Sequence, residues 1–261
     1  MCIIIDESRS FLEGANVVLI GRNKQKLELL KNESDNINNF VCATDLASPI
    51  FVEKDFRGII KRLKGKIDVL INAAGIVNIK PFKVSTLKDW DYSISYSAMN
   101  INVRSVFQVT SLCTPFLKES KGSVVCISST AGLVPTPGST LFSVSKAMLN
   151  SFVQCSALEL ANFGVRVNAV ALGATYTQAR VAKDAGDLNM RDNKVILDSI
   201  ARATPLEHRI NTPEEAADTI LWLASDEASY ITGEIITVDG GQSITTNLYP
   251  YEMQELVILI R

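Results

Sequence analysis

The run Phe142-Ser143-Val144-Ser145-Lys146 follows Val124-Val125-Cys126-Ile127-Ser128-Ser129 by the length of one loop. The apolar run ends in two serines, the loop carries Pro135, Pro137 and Gly138, and a lysine-bearing helical segment follows. That order gathers a serine hydroxyl and a lysine ammonium at one strand end, where open α/β sheets bind ligands. A hydroxyl four residues before the lysine would lie one turn away on the same helix face and complete a proton-transfer site. Position 142 instead carries a phenyl ring, which has no proton to give. The chemistry read from these residues is a proton-transfer site with its general acid removed.

Strands and helices must place those groups. Short runs rich in Val and Ile, apolar on both faces, predict buried parallel strands at Ala15–Ile20, Phe40–Ala43, Val69–Asn72, Gly122–Ser128, Val165–Ala171 and Ile235–Val238. Helical periodicity predicts helices near Lys24–Asn32, Ile50–Leu63, Ser93–Lys118, Ser143–Leu160 and Pro213–Ala224. Thr212-Pro213-Glu214-Glu215 reads as a capped helix start, with threonine at N-cap and proline at N1. The alternation predicts an α/β fold, a doubly wound parallel sheet in one domain over residues 1–246, with 247–261 as a C-terminal tail. Gly173–Ile210 has no strand pattern and reads as a substrate lid.

Composition narrows the classes of function. The chain has 261 residues, 47% hydrophobic and 21% charged, which is ordinary for a soluble globular protein and argues against wholesale disorder. A net charge of −2 gives no basic footprint for nucleic acid. No apolar run approaches the roughly 18 residues of a membrane span, and Cys2-Ile3-Ile4-Ile5 is too short for a signal-peptide core. A cytoplasmic location is expected. The five cysteines form no C-x-x-C pair and His208 is the sole histidine, so neither a metal site nor a Ser-His hydrolase is expected. Ser143-Val144-Ser145-Lys146 spells S-x-x-K, a serine-hydrolase pattern, but the companion motifs of that class are absent.

Asn72-Ala73-Ala74-Gly75 after an apolar strand, Ile101-Asn102-Val103, Ser129, Lys146, Ile231-Thr232-Gly233 and Val238-Asp239-Gly240-Gly241 follow one another along the chain. On these motifs the chain, from about Gly14 to Gly241, resembles the short-chain dehydrogenase/reductase family, which moves a hydride between NAD(P) and a carbonyl or alcohol. The resemblance implies a Rossmann-like sheet and a catalytic set of Asn102, Ser129 and Lys146, with Phe142 where the family has its tyrosine. In the mechanism it implies, serine holds the substrate oxygen and tyrosine exchanges its proton. Lysine lowers the tyrosine pKa and holds the nicotinamide ribose, and asparagine anchors a water. It further implies cofactor contacts from Asn72, Ala73 and Gly75 beside the cofactor, from Asp45 on the adenine side, and from Gly173 and Thr177 near the nicotinamide. Arg22, in place of an acidic residue after Val17-Val18-Leu19-Ile20, favours NADP(H) over NAD(H).

Three departures qualify the resemblance. Phe142 replaces the tyrosine, and Tyr96 and Tyr176 belong to other segments. Leu172-Gly173 stands where the family has Pro-Gly, which loosens one turn. Met1–Glu13 contains no glycine, although the family binds pyrophosphate with a glycine-rich turn after its first strand. Either the centre of the sheet has a gap there or Cys2–Ile5 supplies a makeshift strand; a shortened gene product and an evolved pseudoenzyme both account for this start. The expectation is weak cofactor binding and impaired carbonyl or alcohol turnover. The alternative is a non-catalytic subunit that assembles as a homo- or hetero-oligomer with active relatives through Ser93–Lys118 and Ser143–Leu160.

Overall fold

The computed structural model describes residues 2–5, 15–33, 36, 38–77, 82, 85–96, 98–135, 137–176 and 190–245. Among the described residues seven parallel strands form one sheet: β1 (Cys2–Ile5), β2 (Val17–Gly21), β3 (Phe40–Ala43), β4 (Val69–Asn72), β5 (Ser123–Ser129), β6 (Arg166–Leu172) and β7 (Ile235–Val238). Their spatial order is β3-β2-β1-β4-β5-β6-β7, the doubly wound arrangement with its switch point beside β1. Of the two possibilities for the chain start, the makeshift strand is the one adopted. Cys2–Ile5 pairs with Val17–Ile20 on one side and Val69–Asn72 on the other. Only residues 6–16 join β1 to β2, close to the shortest crossover a parallel pair tolerates.

Strict alternation along the strands divides the core into two layers. Val18, Ile20, Leu70, Val124, Cys126, Val167 and Ala169 face one side. There they pack on α2 (Pro49–Arg62), α4 (Val106–Ser120) and α5 (Thr140–Ala161). Val17, Leu19, Ile71, Val125 and Val170 face α1 (Lys24–Asn32) and α7 (Pro213–Ala224) on the other. A sheet covered on both faces needs apolar residues at every strand position, which explains the near-continuous Val/Ile runs. The start of α7 is as expected: Thr212 Oγ1 accepts from Glu215 N, the Glu215 carboxylate accepts from Thr212 N, and Pro213 occupies N1.

The predicted helix Ser93–Lys118 is corrected. The segment begins earlier, with α3 (Leu87–Tyr96), and Asn100–Ser105 is wound as a π-helix before α4 starts at Val106. Period counting cannot detect this, because the wider turn shifts the face by one residue without breaking the apolar recurrence. Within the expected lid, α6 (Met190–Ala203) is a helix, while residues 177–189 lie outside the described residues, as does the tail 247–261. His208 sits exposed in a loop, its Nδ1 3.2 Å from the Arg202 carbonyl. No helix among the described residues is long and apolar enough to cross a membrane.

Candidate active site

The carboxyl ends of β4 and β5 and the first turns of α5 bring the predicted residues together. Thr140 opens α5, so Phe142 and Lys146 stand one turn apart and project toward the sheet. Both are buried, at 9% and 5% exposure. Lys146 Nζ donates to the Ile127 carbonyl at 2.7 Å and lies 5.8 Å from the centroid of the Phe142 ring. Burial pushes the ammonium down to about 8, partly opposed by the Cys126 sulfur. Where a phenol would share its proton with this lysine, a ring face is presented instead.

Asn102 sits in the π-helical segment, fully buried. Its Oδ1 accepts from Ile76 N at 2.8 Å, and its Nδ2 donates to Ile76 O at 3.0 Å and Ser145 Oγ at 2.9 Å. Ser145 in turn donates to the Phe142 carbonyl at 2.7 Å. One amide therefore ties the loop after β4 to the start of α5. A π-helical turn commonly marks such a position, because the unwound backbone redirects a side chain that a regular helix would aim elsewhere. A Cβ on Gly75 would come within 3.5 Å of both Asn102 Oδ1 and Lys146 Nζ, so the glycine keeps the space beside the ammonium clear.

Ser129 ends β5, half-buried, and its Oγ accepts from Ala131 N at 3.2 Å in the turn that follows. That leaves the hydroxyl proton for another acceptor. Ser128 points the other way and donates to Asn150 Oδ1 at 2.5 Å. The turn runs hard against α5: a Cβ on Gly132 would stand 2.7 Å from the Lys146 carbonyl carbon. Sequence reasoning missed Gly132, Ser145 and Asn150. Gly132 carried the one available signal, as an isolated glycine after a strand-end serine pair.

The remaining predicted residues spread along the strand ends. The Asn72 side chain turns into the protein, where Nδ2 donates to Thr110 Oγ1 at 3.2 Å and approaches Cys126 Sγ at 3.7 Å. Its neighbour Ala73 packs on the core layer facing α1 and α7, and Gly75 is exposed. Arg22 is exposed just past β2, and Asp45 is exposed past β3 with Oδ1 accepting from Ala47 N. These two ends are locked together by Thr44 N donating to Gly21 O at 2.9 Å. The Thr44 hydroxyl beside them is buried with no hydrogen-bond partner. Gly173 is held firmly rather than loosely: its N donates to Val238 O at 3.0 Å, and a Cβ there would strike Asp239 at 2.7 Å. Thr177 lies outside the described residues.

Two other chemistries find no support in this arrangement. Ser143 Oγ is buried without a partner, and Lys146 is engaged at Ile127 O, so the S-x-x-K spelling is not assembled as a nucleophile and base. Among the described residues no group of His, Cys, Asp and Glu could hold a metal ion.

Comparison with known proteins yields concordant relatives. The family profile described as enoyl-(acyl carrier protein) reductase matches residues 10–243. The 3-oxoacyl-(acyl-carrier-protein) reductase FabG of Thermotoga maritima is 34% identical over 236 residues, 88% of each chain. The cyclopentanol dehydrogenase of a Comamonas species is 33% identical over 231 residues, 86% of this chain and 80% of that one. Among solved structures, a Caenorhabditis elegans short-chain dehydrogenase/reductase of unknown function, crystallised with cofactor, superposes with a TM-score of 0.81 at 26% identity, covering 95% of this chain and 96% of that one.

Proposed function

The chain belongs to the short-chain dehydrogenase/reductase family of NAD(P)(H)-dependent oxidoreductases, and from that premise we propose that it is an impaired reductase acting on a small carbonyl or alcohol. The observation that carries this reading is the phenyl ring of Phe142, 5.8 Å from the Lys146 ammonium, where the reaction needs a proton donor. A nicotinamide cofactor, when bound, supplies the hydride; NADP(H) is favoured over NAD(H) through Arg22. The residues present fit its two nucleoside ends. Gly75 leaves room beside Lys146, and the Thr44 hydroxyl is a buried polar atom still lacking a partner near Arg22 and Asp45. The fit is poorer between them, because the β1–β2 connection of residues 6–16 holds one glycine, Gly14, for a pyrophosphate cradle. Binding is therefore weak.

The side chains divide the work unevenly. Ser129 donates its free proton to the substrate oxygen and orients it. Lys146 gives one proton to Ile127 O and keeps two for ribose hydroxyls. Asn102 holds the loop after β4 against α5. No side chain of the set protonates the substrate oxygen, and such a group is ordinarily worth roughly 10²–10⁴-fold in rate. Protonation falls to water, in a cytosolic setting where the cysteines stay reduced.

Turnover of a carbonyl panel with NADPH, paired with calorimetric titration of NADPH and NADH, tests this. The expected result is negligible reduction and weak binding that prefers NADPH and loses that preference in Arg22→Ala. Robust turnover abolished by Ser129→Ala or Lys146→Ala would overturn the impairment. A second reading, a non-catalytic subunit that assembles with copies of itself or active relatives, is favoured by apolar side chains on α4 and α5. Phe107, Met148 and Leu158 are 59%, 48% and 80% exposed. Sedimentation of the chain alone and mixed with an active relative distinguishes the two.

A further inference from the structure

One helix face of the site segment carries polar side chains that the proposed reaction does not use. Asn100, Arg104 and Gln108 recur at four-residue spacing, so they form a single stripe running from the π-helical segment into α4. Asn100 and Arg104 reach the loop between β3 and α2, and Gln108 reaches the first residue of α2. Asn100 Nδ2 donates to Ala47 O at 3.1 Å. One Arg104 nitrogen, Nη2, donates to Leu46 O at 3.1 Å and to Ala47 O at 2.9 Å. Gln108 Nε2 donates to Pro49 O at 2.8 Å. The stripe is also tied internally: Arg104 Nη1 donates to Gln108 Oε1 at 3.0 Å, and its Nε donates to Asn100 Oδ1.

The guanidinium donates to neutral oxygens, two of them main-chain carbonyls, and burial lowers its pKa. A charge placed among neutral acceptors is costly unless its fixed fork of donors is well matched. Here the match is to the loop that begins at Asp45, whose own carboxylate caps Ala47 N at 3.0 Å. Two residues before Arg104, Asn102 grips Ile76 after β4 and Ser145 at the start of α5. The same π-helical turn thus holds the ends of β3 and β4 from opposite sides. A π-turn is the less stable winding and persists where side-chain contacts over-determine it.

We propose that Asn100, Arg104 and Gln108 form a clasp that fixes the β3–α2 loop to the segment carrying Asn102, with Arg104 a positioning residue for both ends of the cofactor site. The clasp itself stands on the hydrogen bonds above, while its consequence for cofactor rests on reading these strand ends as the nucleotide site. Loss of Arg104 frees the Leu46 carbonyl, leaves the Ala47 carbonyl with Asn100 alone, and releases the π-turn, so Asn102 loses its aim at Ile76. The adenine-side loop and the loop after β4 should loosen together, although they belong to different strands.

Hydrogen exchange on the full chain without ligand, for the parent, Arg104→Gln and Arg104→Lys, reads the clasp directly. In Arg104→Gln, amides in residues 44–48 and the Ile76 amide should exchange at least tenfold faster, with β5 and β6 unchanged. Arg104→Lys, which keeps a donor for the two carbonyls, should restore most of the protection. NADPH affinity, measured in parallel, should fall about tenfold in Arg104→Gln and about twofold in Arg104→Lys. Faster exchange at 44–48 with an unchanged Ile76 amide overturns the coupling, as does uniform loosening that includes β5 and β6. If the parent binds no NADPH while the exchange pattern holds, the cofactor reading fails and the clasp stands.

Discussion

Replacing Lys146 by methionine isolates the cost of burying its charge. The ammonium is 5% exposed, donates to one carbonyl, and has its pKa lowered from 10.5 to about 8 by burial. The Cys126 sulfur opposes this only in part, because burial pushes that thiol up to about 12 and keeps it protonated at neutral pH. At about 1.4 kcal/mol per unit, the drop corresponds to about 3 kcal/mol. Below pH 8 the lysine is charged in both folded and unfolded chains, and the folded state bears the full cost. Between pH 8 and 10.5 the folded protein releases the proton while the unfolded chain keeps it, so stability rises with pH. Methionine has no such term. Urea unfolding of both proteins from pH 7 to 10.5 should therefore show the stability difference, methionine variant minus parent, shrinking by about 3 kcal/mol across that window. The bond lost at Ile127 O adds an offset of about 1–3 kcal/mol that does not vary with pH. Other titrating groups are common to both chains and cancel. A difference that stays constant with pH, or grows, would refute the assignment of Lys146 as a buried cation whose burial outweighs its compensation.

Phe142→Tyr should raise NADPH-dependent carbonyl reduction by about 10²-fold without restoring full turnover; replacing residues 6–16 with a glycine-rich connection in the same variant should raise it further, as followed by NADPH absorbance. Gly132→Ala should cost about 1–3 kcal/mol in urea unfolding, because its Cβ would meet the α5 backbone at 2.7 Å, where no side chain can swing aside. Amides of Ile3–Ile5 should exchange slowly, because β1 is hydrogen-bonded to strands on both sides; rapid exchange there would mean that the centre of the sheet is open.

The strand and helix pattern was legible in the sequence because a sheet covered on both faces demands apolar residues at every position. That demand produced the runs Val17–Ile20, Val69–Ile71 and Val124–Ile127. The site was legible in part for a local reason. Phe142 and Lys146 share one helix, so their spacing alone puts them on one face. Ser129 and Asn102 came from motif order, which says what sits near a strand end but not what each side chain grips.

What only the tertiary structure decided lies between segments distant in the chain. Whether Cys2–Ile5 fills the central slot depends on open edges at both Val17–Ile20 and Val69–Asn72, a condition that no window of local sequence contains. Asn72 turning to Thr110, Gly132 pressing on α5, and Arg104 reaching Leu46 and Ala47 are contacts across 38, 14, 58 and 57 positions respectively. The amino-acid sequence by itself determined the layers and the missing hydroxyl, because periodicity and residue type are properties of neighbours along the chain. Packing decided which polar groups are free and which are engaged, because a hydrogen-bond partner is chosen by proximity in space.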